Sequence, residues 1–335
     1  MRRASLAIVT LAAVAAGAAG EFGGLAALGR QSSGESCAFA VLRRDGIIIP
    51  FASYDGGRWQ DRWPEPGRKI DIPISVADTP KGWWLRDRPV STWTAWPFQG
   101  ESRTIHVRNP LAISVECTRQ VGLQTDYSSN LPPVPPDMQP HPKDGLATAG
   151  DVPVEPVNVL NAQSPEWPRV LDAIKGPFEA SEARAVSVLP GNRLEKDPKR
   201  RAQFPLEIEL LARAPGPRPG TQTFYFEAVR RYGRRPSQTA TITNVPDRRP
   251  LAYGAGWVTM AADGKIVPEL PVTVELSDNQ REDLLYAMPL GTFQVGGRRY
   301  WAVQRAGWGF ERYEVLEIAE PQVKVIFKTI GGSCR

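Results

Sequence analysis

The side chains that could carry chemistry in this sequence are mainly carboxylates, because histidine is scarce. The 335 residues include two histidines, His106 and His141, and no GxSxG, HExxH or GxxxxGK[ST] motif. Glycoside hydrolysis needs only two carboxyl groups about 5 to 10 Å apart. Four acidic residues near Trp or Tyr are candidates for such a pair: Asp55, Asp61, Glu311 and Glu314. The same residues are typical of the solvent-facing sides of β-hairpins, which is the interpretation that we favour.

Tryptophan offers a second chemistry, the stacking of an aromatic ring on the apolar face of a sugar. Residues 45–96 contain six of the ten tryptophans. Trp83 and Trp84 are neighbours, and neighbouring side chains of a strand point to opposite faces, so both cannot enter one core. Trp308 lies in the Gly-rich turn 306–309, and loop tips normally face water. We predict ligand contacts from the hairpins 55–63 and 81–96 and from this turn, made by Trp59, Trp63, Trp83, Trp84, Trp93 and Trp308.

The alternative interpretation of the tryptophans is that they form the core of a small β domain. Our hypothesis for function is a non-catalytic β protein that binds an extracellular or envelope polymer, with carbohydrate as the first candidate. The alternatives are a secreted glycan hydrolase that uses a carboxylate pair and a structural envelope protein. We expect no cofactor. We also expect no metal site, because the cysteines show no CxxC spacing and lie far along the chain from the histidines.

The N-terminus predicts export. Arg2 and Arg3 precede an apolar run over 6–16, and small residues follow it, as in a secretory signal peptide over 1–20. We therefore expect a secreted or periplasmic protein with no membrane span after signal removal, while an uncleaved anchor is the alternative. The formal net charge of +5 falls to +3 without Arg2 and Arg3. The arginine clusters, such as the one over 230–235, lie beside turn glycines, so we expect no nucleic acid partner.

An exported chain can form disulfides, and this one has three cysteines. One cysteine must therefore remain unpaired or pair with another molecule. Of the three single bridges, we favour Cys37 with Cys334, because it would tie the first predicted strand of the mature chain to the last.

The fold predicted from these patterns is mainly β, with antiparallel β domains arranged as a sandwich or propeller-like and one short helix after a Pro-rich linker. Period-two alternation and turn dipeptides such as Asp45-Gly46 indicate hairpins throughout. We predict a Trp-rich β domain over 37–128, a Pro-rich linker over 129–160 that avoids central strands, and a second β domain over 161–335. A helix opens that domain at 164–166 and is expected to stop at Gly176-Pro177.

One short segment resembles a known structural motif. Residues 53–59, SYDGGRW, are similar to the Asp-box of sialidase-type β-propellers, with one residue fewer before the Trp. The resemblance implies a hairpin turn in which Asp55 caps backbone amides, and it implies no catalytic role.

Overall fold

A computed structural model describes residues 36–61, 91–135, 138, 141–188, 196–233, 250–269, 272–277, 284–319 and 322–334. The described residues form three antiparallel sheets and two helices, which confirms the prediction of a mainly antiparallel β protein. The predicted signal peptide 1–20 and Trp63, Trp83 and Trp84 lie outside the described residues. No helix in the described part of the chain is long and apolar enough to cross a membrane.

The first sheet closes into a six-stranded barrel with a seventh strand at its edge. Its strands are β1 (Ser36–Arg43), β2 (Ile47–Asp55), β3 (Arg58–Asp61), β4 (Thr92–Pro97), β5 (Arg103–Val115), β6 (Thr118–Thr125) and β7 (Lys143–Ala149). They pair in the order β1-β7-β4-β5-β6-β2-β3, and β1 also pairs with β2, which closes the ring. Alternate side chains point inward, and small ones such as Ala40 and Ala147 leave room there for the indole of Trp93.

The segment predicted as a linker, 129–160, contributes strands to all three sheets. Strand β7 is fully buried between β1 and β4, so the expectation that this segment avoids central strands is wrong. The reason is local, because β7 contains no proline and can therefore donate its amides on both sides. Strands β8 (Val154–Glu155) and β9 (Asn158–Val159) follow. The described residues on either side of 129–160 belong to one compact unit, and independent folding of 37–128 and 161–335 stays a prediction.

The second sheet is covered on one face by a helix. It contains β9, β10 (Leu206–Pro215), β11 (Gln222–Arg231), β12 (Leu251–Met260), β13 (Ile266–Pro268) and β14 (Thr273–Ser277), and the helices are α1 (Glu166–Val188) and α2 (Pro198–Arg201). Val170, Ile174 and Phe178 of α1 recur every four residues, so they form one apolar stripe that packs on the sheet. Strands β10 and β11 pair as a long hairpin around the turn 216–221.

The predicted stop of this helix at Gly176-Pro177 is wrong, because α1 continues through Pro177 to Val188. Contacts beyond the proline explain the continuation. Phe178 is fully buried against β12 at Gly254, where a Cβ would lie 2.5 Å from the phenyl ring. One turn later, Glu182 accepts a hydrogen bond from Arg230 Nη1 at 2.7 Å. Tertiary packing therefore outweighs the local cost of the proline.

The third sheet lies between the barrel and the second sheet. Its strands are β8, β15 (Tyr286–Val295), β16 (Arg298–Gly307), β17 (Phe310–Ala319) and β18 (Gln322–Ser333), in the order β18-β17-β16-β15-β8. Tyr300 and Ala302 join the core shared with the barrel, whereas Trp301 and Val303 join the core shared with the second sheet. Side-chain alternation thus buries both faces of this sheet. The layered arrangement agrees with a sandwich and not with propeller blades.

The disulfide joins Cys117 to Cys334, with 4.7 Å between the Cα atoms, in place of the predicted Cys37–Cys334 bridge. The last strand explains the difference, because its end lies against the β5–β6 turn, where Ser333 N donates to Thr118 Oγ1 at 3.0 Å. Cys37 is instead buried in the core between the barrel and the third sheet. The bridge therefore ties the barrel to the third sheet and not the first strand to the last.

The segment that resembles an Asp-box forms the β2–β3 hairpin of the barrel sheet. Gly56 and Gly57 both have positive φ in its turn, which favours glycine at these positions. Ser36 Oγ donates a hydrogen bond to Asp55 Oδ1 from the neighbouring strand. Trp59 follows the turn and packs into the core between the barrel and the third sheet. The segment forms a hairpin turn, as the resemblance implies, while the capping of backbone amides by Asp55 stays a prediction and the surrounding sheet is a barrel.

Candidate ligand-binding site

A cavity of about 450 Å³ lies between the second and third sheets. We call it the inter-sheet cleft, and the side chains that define its chemistry are Tyr225, Tyr253, Trp257, Glu269, Glu275, Arg305 and Arg312. Tyr225 comes from β11, and Tyr253 and Trp257 come from β12, while the two arginines come from β16 and β17. Within the described residues, the second and third sheets share no hydrogen-bonded strand pair. The cleft therefore exists only because these two sheets stack on each other.

Alternation along two strands places the aromatic side chains in the cleft. On β11, Phe224 and Phe226 face α1, so Tyr225 between them faces the third sheet. On β12, Gly256 lies where a Cβ would come within 3.1 Å of the Phe226 ring, on the helix side. Its neighbour Trp257 therefore points the other way, into the cleft. Close packing on one face thus fixes which residues line the opposite one.

The aromatic wall of the cleft is held by one tilted and one edge-to-face contact between rings. The rings of Tyr225 and Trp257 have centroids 5.0 Å apart and are tilted by 57°. Trp257 meets Trp301 of the third sheet at 4.8 Å and 85°. Such geometries are the preferred ones for aromatic pairs, so the wall is a fixed surface.

Two arginines and one buried carboxylate form the charged part of the cleft. Arg305 Nε donates to Glu314 Oε2 at 3.0 Å, and Arg312 Nε lies 2.6 Å from Glu314 Oε1. The second contact is an ion pair by distance but lacks the angles of a hydrogen bond. Arg305 Nη1 also donates to the Tyr225 hydroxyl at 3.3 Å. Since a guanidinium carries five N–H groups, both arginines keep donors for a ligand.

Glu227 supports the aromatic wall from behind. Its Oε1 accepts hydrogen bonds from the Tyr225 hydroxyl at 2.9 Å and from Ala287 N at 2.7 Å. Burial raises the pKa of Glu227, and hydrogen bonds from the backbone and from Tyr253 oppose that shift. Burial also raises the pKa of the Tyr225 and Tyr253 hydroxyls, so both stay protonated and can donate at neutral pH.

The three described tryptophans among the predicted ligand contacts lie in three different environments. Trp59 packs against Phe39, at 5.4 Å between ring centroids, in the core between the barrel and the third sheet. Trp93 is 1% exposed inside the barrel. Trp308 is 71% exposed at the β16–β17 turn, as its position in a Gly-rich loop indicates. Of the described residues in the predicted set, only Trp308 offers its ring to solvent.

The four predicted carboxylates do not converge. Glu311 accepts a hydrogen bond from Lys143 Nζ of the barrel at 3.1 Å, whereas Glu314 lies on the opposite face of β17 with the arginines of the cleft. Both are buried, so the expectation that they face solvent is wrong. Each is buried beside a cation from another strand, Lys143 of β7 for Glu311 and Arg305 of β16 for Glu314. Asp55 and Asp61 remain at the β2–β3 hairpin.

The residues that line the inter-sheet cleft were not predicted from the sequence as ligand contacts. A signal exists in hindsight, because β11 reads QTFYFEAVRR and carries aromatic residues on both of its faces. Such a strand must be covered on both sides. The sequence does not show how far the third sheet lies from the second sheet. That distance decides whether side chains fill the space between the two sheets or leave a cavity.

The described residues contain no group of three His, Cys, Asp or Glu side chains that could hold a metal ion.

In the comparisons with known proteins, no family model, curated protein or solved structure matches the chain. The chemistry of the cleft is therefore the basis for assigning a function.

Proposed function

We propose that this protein is an exported, non-catalytic binder of a carbohydrate polymer and that the polymer enters the inter-sheet cleft. The observation that carries the proposal is one cavity in which Trp257, backed by the buried ring of Tyr225, meets the guanidiniums of Arg305 and Arg312. A sugar ring has an apolar face that suits an aromatic wall and hydroxyls that suit fixed, charged hydrogen-bonding groups. Apolar walls with a few placed polar groups are typical of ligand sites.

Trp308 is a candidate for a ligand contact outside the cleft. Arg305 and Arg312 pair across β16 and β17, and Trp308 lies at the turn that joins these strands. Trp308 lies three residues beyond Arg305 in the chain, which corresponds to about 10 Å at ~3.3 Å per residue of strand. An exposed indole at that position could contact a further unit of a polymer whose other units occupy the cleft.

The Cys117–Cys334 disulfide supports the exported location, because disulfides persist in oxidising compartments. Together with the signal-like residues 1–20, it is the basis for proposing a secreted or periplasmic protein.

A glycan hydrolase is the second candidate, because two carboxylates, Glu269 and Glu275, line the same cleft. We favour binding because Glu275 is exposed to solvent, whereas a general acid is typically held protonated by an apolar site. Release of reducing sugar ends from a bound polymer would identify the hydrolase.

The test is calorimetric titration of the mature protein with soluble oligosaccharides, together with sedimentation on insoluble polysaccharides. Thr273→Trp narrows the cleft from its exposed rim, and Thr92→Trp adds the same side chain at an exposed position of the barrel as a matched control. We expect binding by the wild type and Thr92→Trp, and at least a tenfold loss in Thr273→Trp. No binding to any polymer, or equal binding by both variants, would contradict the proposal.

A further inference from the structure

The charges around the inter-sheet cleft are opposite in sign to those of the whole chain. The protein has a formal net charge of +5. In the cleft, both oxygens of Glu314 already face the two guanidiniums of Arg305 and Arg312. Glu269 and Glu275 add two further carboxylates to the lining. Among the described residues, these two guanidiniums and three carboxylates sum to one negative charge, and Glu227 adds another whenever it is ionised.

The aromatic wall favours the same sign of ligand. The face of an aromatic ring carries negative potential, so Tyr and Trp rings attract cations placed over them. Arg305 already uses this attraction, because its guanidinium carbon lies 5.7 Å from the centroid of the Tyr225 ring. Trp257 and Tyr253 line the same space. A cation in the cleft would therefore meet aromatic faces and carboxylates together.

The kind of cation follows from the size and donors of the cleft. A cavity of about 450 Å³ is far larger than a metal ion requires. Arg305 and Arg312 also present N–H donors, which need acceptor atoms such as hydroxyl or ring oxygens on the ligand. A protonated amine on a sugar supplies the positive charge and the oxygens in a single unit.

We infer that the inter-sheet cleft selects sugars that carry a protonated amine, with Glu269 and Glu275 contacting the ammonium group and Arg305 and Arg312 contacting ring oxygens and hydroxyls. This inference rests on the proposed function and narrows its ligand class to amino sugars. A sugar whose amine is acetylated keeps the ring and hydroxyls but loses the charge.

The experiment compares two ligands that share their sugar rings and hydroxyls and differ at the amine, the hexamer of β-1,4-linked glucosamine, which is protonated there, and its fully N-acetylated counterpart, which carries an uncharged acetamide. Calorimetry is performed at about pH 5.5, where amines are protonated and ordinary carboxylates are ionised. We expect the amine form to bind at least tenfold more tightly, and the preference to shrink as salt is raised. Glu275→Gln should reduce the preference several-fold, whereas Glu101→Gln, at an exposed position outside the cleft, should not change it.

Each outcome supports or overturns the inference. Equal binding of the two hexamers overturns it and leaves the proposed function standing, whereas no binding of either hexamer or of any other polysaccharide removes both. Tighter binding of a lysine tripeptide than of the amine hexamer would assign the site to peptides and overturn the sugar assignment. Thermal unfolding of Glu275→Gln beside the wild type shows that its effect on binding does not come from misfolding, and Glu269→Gln provides an independent second variant.

Discussion

The two faces of the third sheet each carry aromatic residues and a buried ion pair, but the cavities beside them differ in size, at about 450 Å³ toward the second sheet and about 180 Å³ beside Leu290 and Trp96 on the barrel side. On the barrel face, Trp59 is surrounded by rings of Phe39, Tyr300 and Phe327 at centroid distances of 5.4 to 6.1 Å. On the other face, Trp257 contacts Tyr225 and also lines a cavity of about 450 Å³. Both faces are built from the same strands.

The comparison shows that aromatic density alone does not locate a binding site. The barrel face buries the Lys143–Glu311 pair, with side-chain exposures of 3% and 0%. The cleft face keeps Arg305 and Arg312 partly exposed, at 17% and 33%. Ligand chemistry needs polar groups that are fixed and still accessible, and the cleft face of this sheet presents that combination at Arg305 and Arg312.

The largest expected effect comes from breaking the ion pair on the barrel face. Glu311→Ala leaves the ammonium of Lys143 buried without its carboxylate, so we expect a loss of about 3 to 5 kcal/mol in the free energy of unfolding. Urea denaturation measures the loss. Glu275→Gln on the exposed rim of the cleft is the control and should stay within about 0.5 kcal/mol of the wild type. A loss below about 1 kcal/mol in Glu311→Ala would mean that this face is more open to water than the structure shows.

The disulfide reinforces the same face, because it ties the barrel to the end of β18 in the third sheet. Removing it with Cys117→Ser and Cys334→Ser should cost about 2 to 4 kcal/mol, since the bridge closes a loop spanning 217 residues. Thermal and urea unfolding of the double variant, beside reduced wild-type protein, measure this cost. Ligand affinity of the folded double variant should stay within about twofold of the wild type, because neither cysteine lines the cleft. A tenfold loss of affinity would contradict the separation of the two faces.

Substitution of two tryptophans should affect stability and ligand affinity separately. Trp59→Ala removes a partly buried ring from the barrel face and should cost roughly 2 kcal/mol of stability with no change in affinity. Trp308→Ala removes an exposed ring, so its effect on stability should be under about 0.5 kcal/mol while the affinity for a long polymer falls several-fold. Denaturation and calorimetry on both variants provide the four values. The reversed pattern would place the site on the barrel face.

The smallest expected effects are changes of stability with pH. They have opposite directions for Glu227 behind the cleft and for His141 on the barrel side. Burial raises the pKa of Glu227 behind the cleft, so its contribution to stability is complete below about pH 4.5 and is lost as the pH rises through its native pKa. His141 lies on the barrel side, 3.6 Å from Asp45, and burial lowers its pKa. Its contribution is therefore complete above about pH 6.5 and is lost as the pH falls through its native pKa.

Urea denaturation of Glu227→Gln, His141→Gln and the wild type between about pH 5 and 8 measures these contributions separately. The stability of the wild type relative to Glu227→Gln should decrease with rising pH. Relative to His141→Gln, it should decrease with falling pH. If the stability difference from the wild type changed with pH in the same direction for both variants, one of the two side chains would not be buried in solution.

Local patterns in the sequence were sufficient for the class of fold. Period-two alternation predicted strands, Asp45-Gly46 predicted the β1–β2 turn, and residues 164–166 predicted where α1 begins. These features depend on contacts between residues that are close in the chain, such as Gly46 with its φ of 80°. For the same reason, the exposure of Trp308 followed from its Gly-rich turn alone.

The binding cleft, the disulfide partner and the burial of β7 were decided by the tertiary structure. Alternation shows that Tyr225 and Phe226 lie on opposite faces of β11, but not which face meets the helix and which meets the third sheet. Lys143 and Glu311 lie 168 residues apart and yet share a hydrogen bond. Whether a carboxylate faces water or a cation, and whether a tryptophan fills a core or lines a cavity, depends on how layers distant in sequence stack, because stacking sets the volume between them.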